Sequence, residues 1–310
     1  YSGQCLMSSI IGGRSGNRGR CAQPCRLPYK LIEQGSGKPV QPTGKGWHGA
    51  NDLYLLSPKD ICALDLLDEI VASGVRSLKI EGRMKSPEYV ATVVRIYRKY
   101  LDMALKKYDE GTGNKSQKPK IEYDDMHDLL QAYNRGGFSQ GYLKGKTGAD
   151  MMSFEKPNNS GIYLGSVIAF NHKENTVRIR LEDKLSVGDG VEIWTGGHNS
   201  PGGTVSQILK LDEEIVFHSK KKTASLAKQS AFRRDYSRFG KPAMVKAAEK
   251  GDLVEIGSFT GSIAKGAKIY KTLDVELNKA ARESYTRGCV KRIPITGHAV
   301  LRSGEPFILC

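Results

Sequence analysis

The chain has 310 residues and a formal net charge of +15. That length allows two or three domains with a sizeable core, and the basic excess favours polyanions, whose phosphates it neutralises with release of counterions. No apolar run approaches the ~18 residues of a bilayer-spanning helix, and six irregularly spaced cysteines in a chain of this size do not make a disulfide scaffold. These patterns speak against a transmembrane helix and a small secreted domain; a reducing cytoplasm is the expected compartment.

The chain opens on a loop-rich, cysteine-bearing stretch. Residues 1–26 hold Cys5, Cys21 and Cys25 among glycines, and Cys62 follows, giving C-x15-C-x3-C-x36-C. Thiolates gathered among glycines that expose backbone N–H groups serve a metal, a cluster or a disulfide. The same stretch carries Arg14, Arg18, Arg20 and Arg26, and Glu33 is the only acidic residue against them within residues 1–50. A second basic run includes Lys220, Lys221, Lys222, Lys228, Arg233, Arg234 and Arg238. Two basic clusters, one overlapping the thiols, point to nucleic-acid contact.

Arg26–Ile32 and Leu53–Leu56 read as short strands. Ser57-Pro58-Lys59-Asp60 reads as a helix start, with Ser57 as N-cap, Pro58 in the first turn and Asp60 complementing the dipole. On that reading Cys62 lies in the first turn, where a helix N-terminus favours a thiolate. Val75–Glu81 reads as a strand, Gly82–Lys85 as the loop at its C-terminal end, and Ser86-Pro87-Glu88 as the start of a long helix. Helix, strand and helix make a barrel or doubly wound unit. The C-terminal mouths of such strands carry chemistry, which singles out Lys79, Glu81, Arg83 and Lys85.

Residues 109–120 read as a polar linker, and a helix follows near Asp124–Tyr133. From Gly161 the pattern is β. Ile162–Phe170, Thr176–Leu181, Val191–Trp194, Gly203–Leu211, Leu253–Ile256 and Lys268–Tyr270 alternate or run apolar. They predict one six-stranded barrel, interrupted by a basic excursion over residues 212–242. Thr272–Tyr285 reads as an amphipathic helix, and Arg292–Leu301 with Pro306–Leu309 as the first strands of a truncated module.

Four blocks in order carry a resemblance. They are Ser2-Gly3-Gln4-Cys5-Leu6-Met7-Ser8, Asn17-Arg18-Gly19-Arg20-Cys21-Ala22-Gln23-Pro24-Cys25-Arg26, Asp60-Ile61-Cys62, and Ser77-Leu78-Lys79-Ile80-Glu81-Gly82-Arg83-Met84-Lys85-Ser86. Together they resemble the signature region of the U32 family, the so-called collagenase-like peptidases, with weaker likeness through Tyr133–Phe138 and Gly141–Leu143. In that family a barrel segment and a further cysteine precede the first block, so the chain is expected to be the C-terminal part of a longer parent. The expected fold is α+β. It comprises the C-terminal part of a TIM-barrel-like α/β unit over residues 1–108, a linker and helical segment over 109–160, the small β-barrel over 161–272, and a helix with the truncated α/β module over 273–310.

The resemblance implies a [4Fe-4S] cluster on Cys5, Cys21, Cys25 and Cys62. It also implies 5-hydroxylation of a pyrimidine in 23S rRNA or tRNA, with the carboxylate-bearing prephenate as co-substrate. The planar fork of Arg83 suits such a carboxylate. Glu81 orients Arg83 or acts as a base, with Lys79 beside it, while Arg14, Arg18, Arg20, Arg26 and Lys85 meet RNA. Three other readings stay open. One is structural zinc through Cys21, Cys25, Cys62 and His48. Another is a collagenase-like peptidase, although no histidine sits in a recognisable catalytic context. The third is a non-catalytic RNA-binding fragment. Cys289 and Cys310 read as ordinary thiols.

Overall fold

The structure, a computed structural model, describes residues 5–16, 18–40, 53–82, 84–111, 120–144, 147–195, 200–211, 242–286, 294, 296–304, 306 and 308–309. Arg83, His48, Cys289, Cys310 and residues 212–241 of the basic excursion lie outside these.

The first part of the chain is mainly helical. Helix α1 (Met7–Gly12) ends on Gly13, whose φ of 63° is the left-handed C-cap that glycine permits. Strand β1 (Asp60–Ile61) pairs in parallel with β2 (Phe138–Ser139). A 3-10 turn over Leu64–Leu66 leads into α2 (Leu67–Ala72). The long helix α3 (Pro87–Asp109) starts as the sequence predicts: Pro87 takes the first position and the Ser86 hydroxyl accepts from the Tyr89 amide at 3.2 Å. Leu64, Leu67, Val93, Ile96, Tyr100 and Leu129 form its core with α2 and α4 (Tyr123–Ala132). The Tyr100 hydroxyl donates to Asp125 at 2.9 Å and accepts from the Glu122 amide at 2.8 Å, which pins α4 to α3.

The second part is an antiparallel sheet that curls around one core. In chain order its strands are β3 (Ile162–Asn171), β4 (Thr176–Arg180), β5 (Leu185–Ser186), β6 (Gly190–Trp194), β7 (Gly202–Thr204), β8 (Ile208–Leu211), β9 (Ala243–Val245), β10 (Ala247–Ala248), β11 (Leu253–Gly257) and β12 (Lys268–Leu273). Eight of them join in the order β7-β6-β12-β3-β4-β11-β8-β9, and β5 pairs with β10. Leu164, Val177, Ile179, Leu185, Ile193, Ile208, Ile256 and Ile269 meet inside, placed there by the two-residue period of each strand. Helix α5 (Val275–Thr286) returns to α3, where Arg282 and Tyr285 bond Glu88 at 3.0 and 2.8 Å. Strands β13 (Ala299–Val300) and β14 (Ile308–Leu309) pair antiparallel. No helix among the described residues is long and apolar enough to cross a membrane.

Several expectations are corrected. The β region has eight sheet strands rather than six. Gly203–Leu211 divides into β7 and β8, and β9 extends the sheet beyond the predicted set. Among the described residues before β3, β1–β2 is the only multi-residue pairing, so the TIM-barrel-like unit is not seen. Val75–Glu81 has no strand partner there. Arg26–Ile32 is not a strand: Pro24–Arg26 forms a 3-10 turn, and Tyr29 and Ile32 make single bridges to Leu53 and Pro39.

The helix start at Ser57 is also overturned. The Ser57 and Lys59 backbones bond those of Ser153 and Met151 at 2.6 and 2.7 Å, which keeps residues 57–59 extended. Ser57 is fully buried and accepts from Arg26, so its hydroxyl caps nothing.

Candidate functional site

Asp60 stands on β1, and the segment after α4 brings Arg135 to it. The guanidinium grips the carboxylate with both arms, Nε to Oδ2 at 3.0 Å and a second bond from Nη2 to Oδ1. Such a fork is the strong form of an ion pair. From the other side, the 3-10 turn at Pro24 aims Arg26 inward, where its Nη1 donates to the Ser57 hydroxyl at 2.5 Å and the Pro58 carbonyl at 3.2 Å. Lys85, one residue before the α3 cap, lays its ammonium 2.7 Å from the centroid of the Tyr133 ring, and Arg135 lies 5.5 Å from the same ring. Tyr89 meets Tyr133 edge-on, 6.3 Å between centroids. The result is a half-buried recess with three cations, one carboxylate and two tyrosine walls.

The electrostatics follow from that count. Burial, with the charges of Arg135 and Arg26, pulls the Lys85 ammonium down to about 8, and Asp60 opposes the fall. Arg26 is lowered by burial and by Arg135, while Cys25 and Asp60 oppose. Burial also works against the charge on Arg135, but the bonds and charge of Asp60 outweigh it and its pKa rises. Lys85 is thus the cation of the recess that gives up its proton first. The unfolded chain holds that proton to higher pH, so this group adds stability as pH rises from about 8 through the ordinary lysine range. Limited acetylation at about pH 8 is expected to mark Lys85 ahead of exposed Lys173 and Lys279, because half of it is then the free amine. Peptide mass spectrometry showing those two modified and Lys85 untouched would contradict this.

Two of the thiols, Cys25 and Cys62, lie beside the recess. Cys25 is half-buried and close enough to act electrostatically on both Arg26 and Arg135. Cys62 follows β1, is buried, and accepts from the Tyr97 hydroxyl at 3.7 Å, while Tyr97 accepts from the Ala63 amide at 3.0 Å. Burial pushes the Cys62 thiol up, against the help of Tyr97 and the Leu64 amide, so its surroundings disfavour the thiolate that a helix N-terminus was expected to favour. Cys5 and Cys21 are exposed, and both lie close to Gly16. The loop of Cys21 is docked on α1 by the Ala22 amide, which donates to the buried Ser8 hydroxyl at 2.9 Å. All four cysteines are free. Among the described residues no three His, Cys, Asp or Glu side chains are placed to hold a metal ion. The zinc reading also draws on His48, which lies outside the described residues.

The other sequence candidates among the described residues are exposed. Lys79 and Glu81 are exposed and 3.9 Å apart. Arg14, Arg18 and Arg20 are exposed in the first loop, where Arg14 bonds the Arg20 carbonyl at 3.1 Å. His127 bonds Asp183 at 3.1 Å rather than a thiol. Sequence reasoning missed Asp60, Tyr133 and Arg135 as site residues. Asp60 stood in the matching block Asp60-Ile61-Cys62 but was read only as complementing a helix dipole, and the weaker likeness at Tyr133–Phe138 placed no role on Tyr133 or Arg135.

A half-buried recess of three cations and one carboxylate, with Cys25 and Cys62 beside it, lies on the helical unit that leads into the curled sheet. Residues 1–153 match peptidase family U32, and the chain belongs to that family. It is similar to a tRNA hydroxylation protein of Bacillus subtilis, 30% identical over 197 residues that cover 63% of this chain and 43% of the relative. It is similar to a 23S rRNA 5-hydroxycytidine synthase of Escherichia coli, 31% identical over 193 residues, 62% of this chain and 27% of the relative. A collagenase of Porphyromonas gingivalis is 30% identical over 218 residues, 70% of this chain and 47% of that protein. The chain thus spans less than half the length of each.

Proposed function

We propose that the chain is part of a U32-type RNA-modifying enzyme, acting in the cytoplasm, that hydroxylates C5 of a pyrimidine in 23S rRNA or tRNA. The observation that carries this reading is the recess of Arg26, Lys85 and Arg135 over Tyr133. Its excess of cations over the single carboxylate of Asp60 suits phosphate or carboxylate, and its tyrosine faces suit a base. Two relatives are named for hydroxylating tRNA and 23S rRNA. Prephenate remains the proposed co-substrate, with Arg83 and the two arginines of the recess as its candidate carboxylate partners. A peptidase reading finds less support, since a cysteine nucleophile needs a low pKa and a histidine base, whereas burial raises the Cys62 pKa and His127 is engaged by Asp183.

The [4Fe-4S] cluster stays part of the proposal, on Cys5, Cys21, Cys25 and Cys62. The test uses the full-length protein. Nucleoside mass spectrometry of rRNA and tRNA from cells lacking the gene is expected to show one 5-hydroxypyrimidine missing, restored by the unsubstituted protein but not by Cys5→Ala/Cys62→Ala. Anaerobic protein is expected to hold about four iron and four sulfide per chain. Full modification by the double variant would sink the cluster, and unchanged nucleosides on deletion would sink the reaction.

A further inference from the structure

A second cavity lies far along the chain from the thiols, at the end of the β3–β4 hairpin. It has a volume of about 210 Å³ and is lined by Phe170, His172, Lys173, Thr176, Arg178 and Glu255 among others. We propose that it takes one unstacked nucleobase of single-stranded RNA. The inference rests on the RNA reading above and names a binding site for that RNA.

Three observations carry it. First, the wall is aromatic. Phe170 and His172 stand at 4.6 Å between ring centroids, tilted by 70°, and Phe170 is packed against the core of the curled sheet. A flat base finds a face there, and such stacking is sequence-tolerant. Second, the floor is polar and built. Glu255 is buried, and its carboxylate accepts from the Thr176 hydroxyl at 2.8 Å and from Arg178 Nη2 at 3.1 Å. Arg178 Nε is buried and finds no partner among the described residues. A buried donor without an acceptor is costly, and Arg178 lines the cavity together with Glu255. A donor beside a carboxylate matches the neighbouring acceptor and N–H groups on the edge of a base. Third, the rim is cationic. Lys173 is exposed in the turn, its amide held by the Asn171 side chain at 3.0 Å, so its ammonium is free to meet the phosphate that follows the base.

A duplex cannot use this site, because its bases are stacked. The test measures binding of the chain to a short fluorescein-labelled single-stranded RNA and to its duplex by anisotropy across a salt series. Phe170→Leu keeps the apolar bulk behind the cavity and removes the ring face. His172→Ala/Lys173→Ala alters only exposed residues and leaves the fold intact. Each is expected to weaken single-strand binding about tenfold, with the double variant lowering the salt slope by about one. Duplex binding is expected to hold, as is single-strand binding by Lys279→Ala on α5. Single-strand affinities within about twofold of the unsubstituted chain for both variants would overturn the cavity, as would equal losses for single strand and duplex. The two readings fail separately. Lost single-strand binding with no missing hydroxylated nucleoside upholds the cavity and removes the hydroxylase. A missing nucleoside with unchanged binding removes the cavity alone.

Discussion

Asp60→Asn is expected to cost about 3 kcal/mol of stability, at the low end for breaking a buried ion pair, and to lower the melting temperature by about 6–12 °C. The reason is the charge count of the recess. Arg26, Lys85 and Arg135 converge on one carboxylate, and the Asp60 and Arg135 side chains are 20% and 18% exposed. Removing the carboxylate leaves three cations facing one another at reduced dielectric. Lys85 then responds first. Asp60 is the group that supports its charge, so its pKa falls below about 8 and its acetylation at that pH quickens. Arg135→Met alone is expected to cost less, because Arg26 and Lys85 remain to balance Asp60. The double variant Asp60→Asn/Arg135→Met restores the net charge of the unsubstituted recess and is expected to be more stable than Asp60→Asn. Thermal melts of the three variants decide this. Simple addition of the two single losses would mean that the cations do not interact. RNA hydroxylation by the full-length protein is expected to fall in all three, since each removes the Asp60–Arg135 fork that orders the recess.

The parts that were legible in the sequence are those whose signals are local. Ser86-Pro87 marks the start of α3 because hydroxyl and amide lie three residues apart. Alternation in Ile162–Asn171 and Leu253–Gly257 reports burial directly, since one face of each strand fills the core. Ser57-Pro58 carries the same local signal and gives no helix. Its backbone is taken by residues 151–153 and its hydroxyl by Arg26, and tertiary pairing outweighs a cap worth about 1 kcal/mol. Val75–Glu81 shows the converse. A strand needs a partner, and no periodicity says whether one is present.

The candidate site divides in the same way. The spacing of Cys5, Cys21, Cys25 and Cys62 is visible at once, yet their gathering is a matter of tertiary structure that spacing alone does not report. The Asp60–Arg135 pair spans 75 positions, and no short motif encodes it. Arg26 was named for RNA, but its burial and its hold on Ser57 and Pro58 arise only when three loops meet.

Gly161→Ala is expected to destabilise the chain by about 4 kcal/mol, from ~1–3 for a left-handed non-glycine residue and ~1–3 for overpacking. Gly161 has a φ of 69°, and an added Cβ would lie 2.7 Å from the Lys271 carbonyl carbon and 3.0 Å from the Thr272 Cα. Those neighbours are backbone of β12 and cannot swing aside like a side chain. They are also held in place. The Lys271 carbonyl accepts from Gln131 at 3.1 Å and the Thr272 carbonyl from Asn159 at 3.1 Å. Gly203→Ala on β7 is the control, because its Cβ would meet nothing within 4 Å, and a change within about 0.5 kcal/mol is expected. Urea unfolding followed by circular dichroism reads both; equal midpoints would mean that β12 yields at no cost. The damage is expected to reach the recess as well. The Gly161 carbonyl accepts from the Asn134 side chain at 3.1 Å, and Asn134 also accepts from the Ser160 amide at 2.7 Å. Asn134 stands between Tyr133 and Arg135, so a shift at Gly161 moves the ring under Lys85 and the fork on Asp60 together. Lys85 in Gly161→Ala is then expected to acetylate like an exposed lysine, under conditions where the chain is still folded.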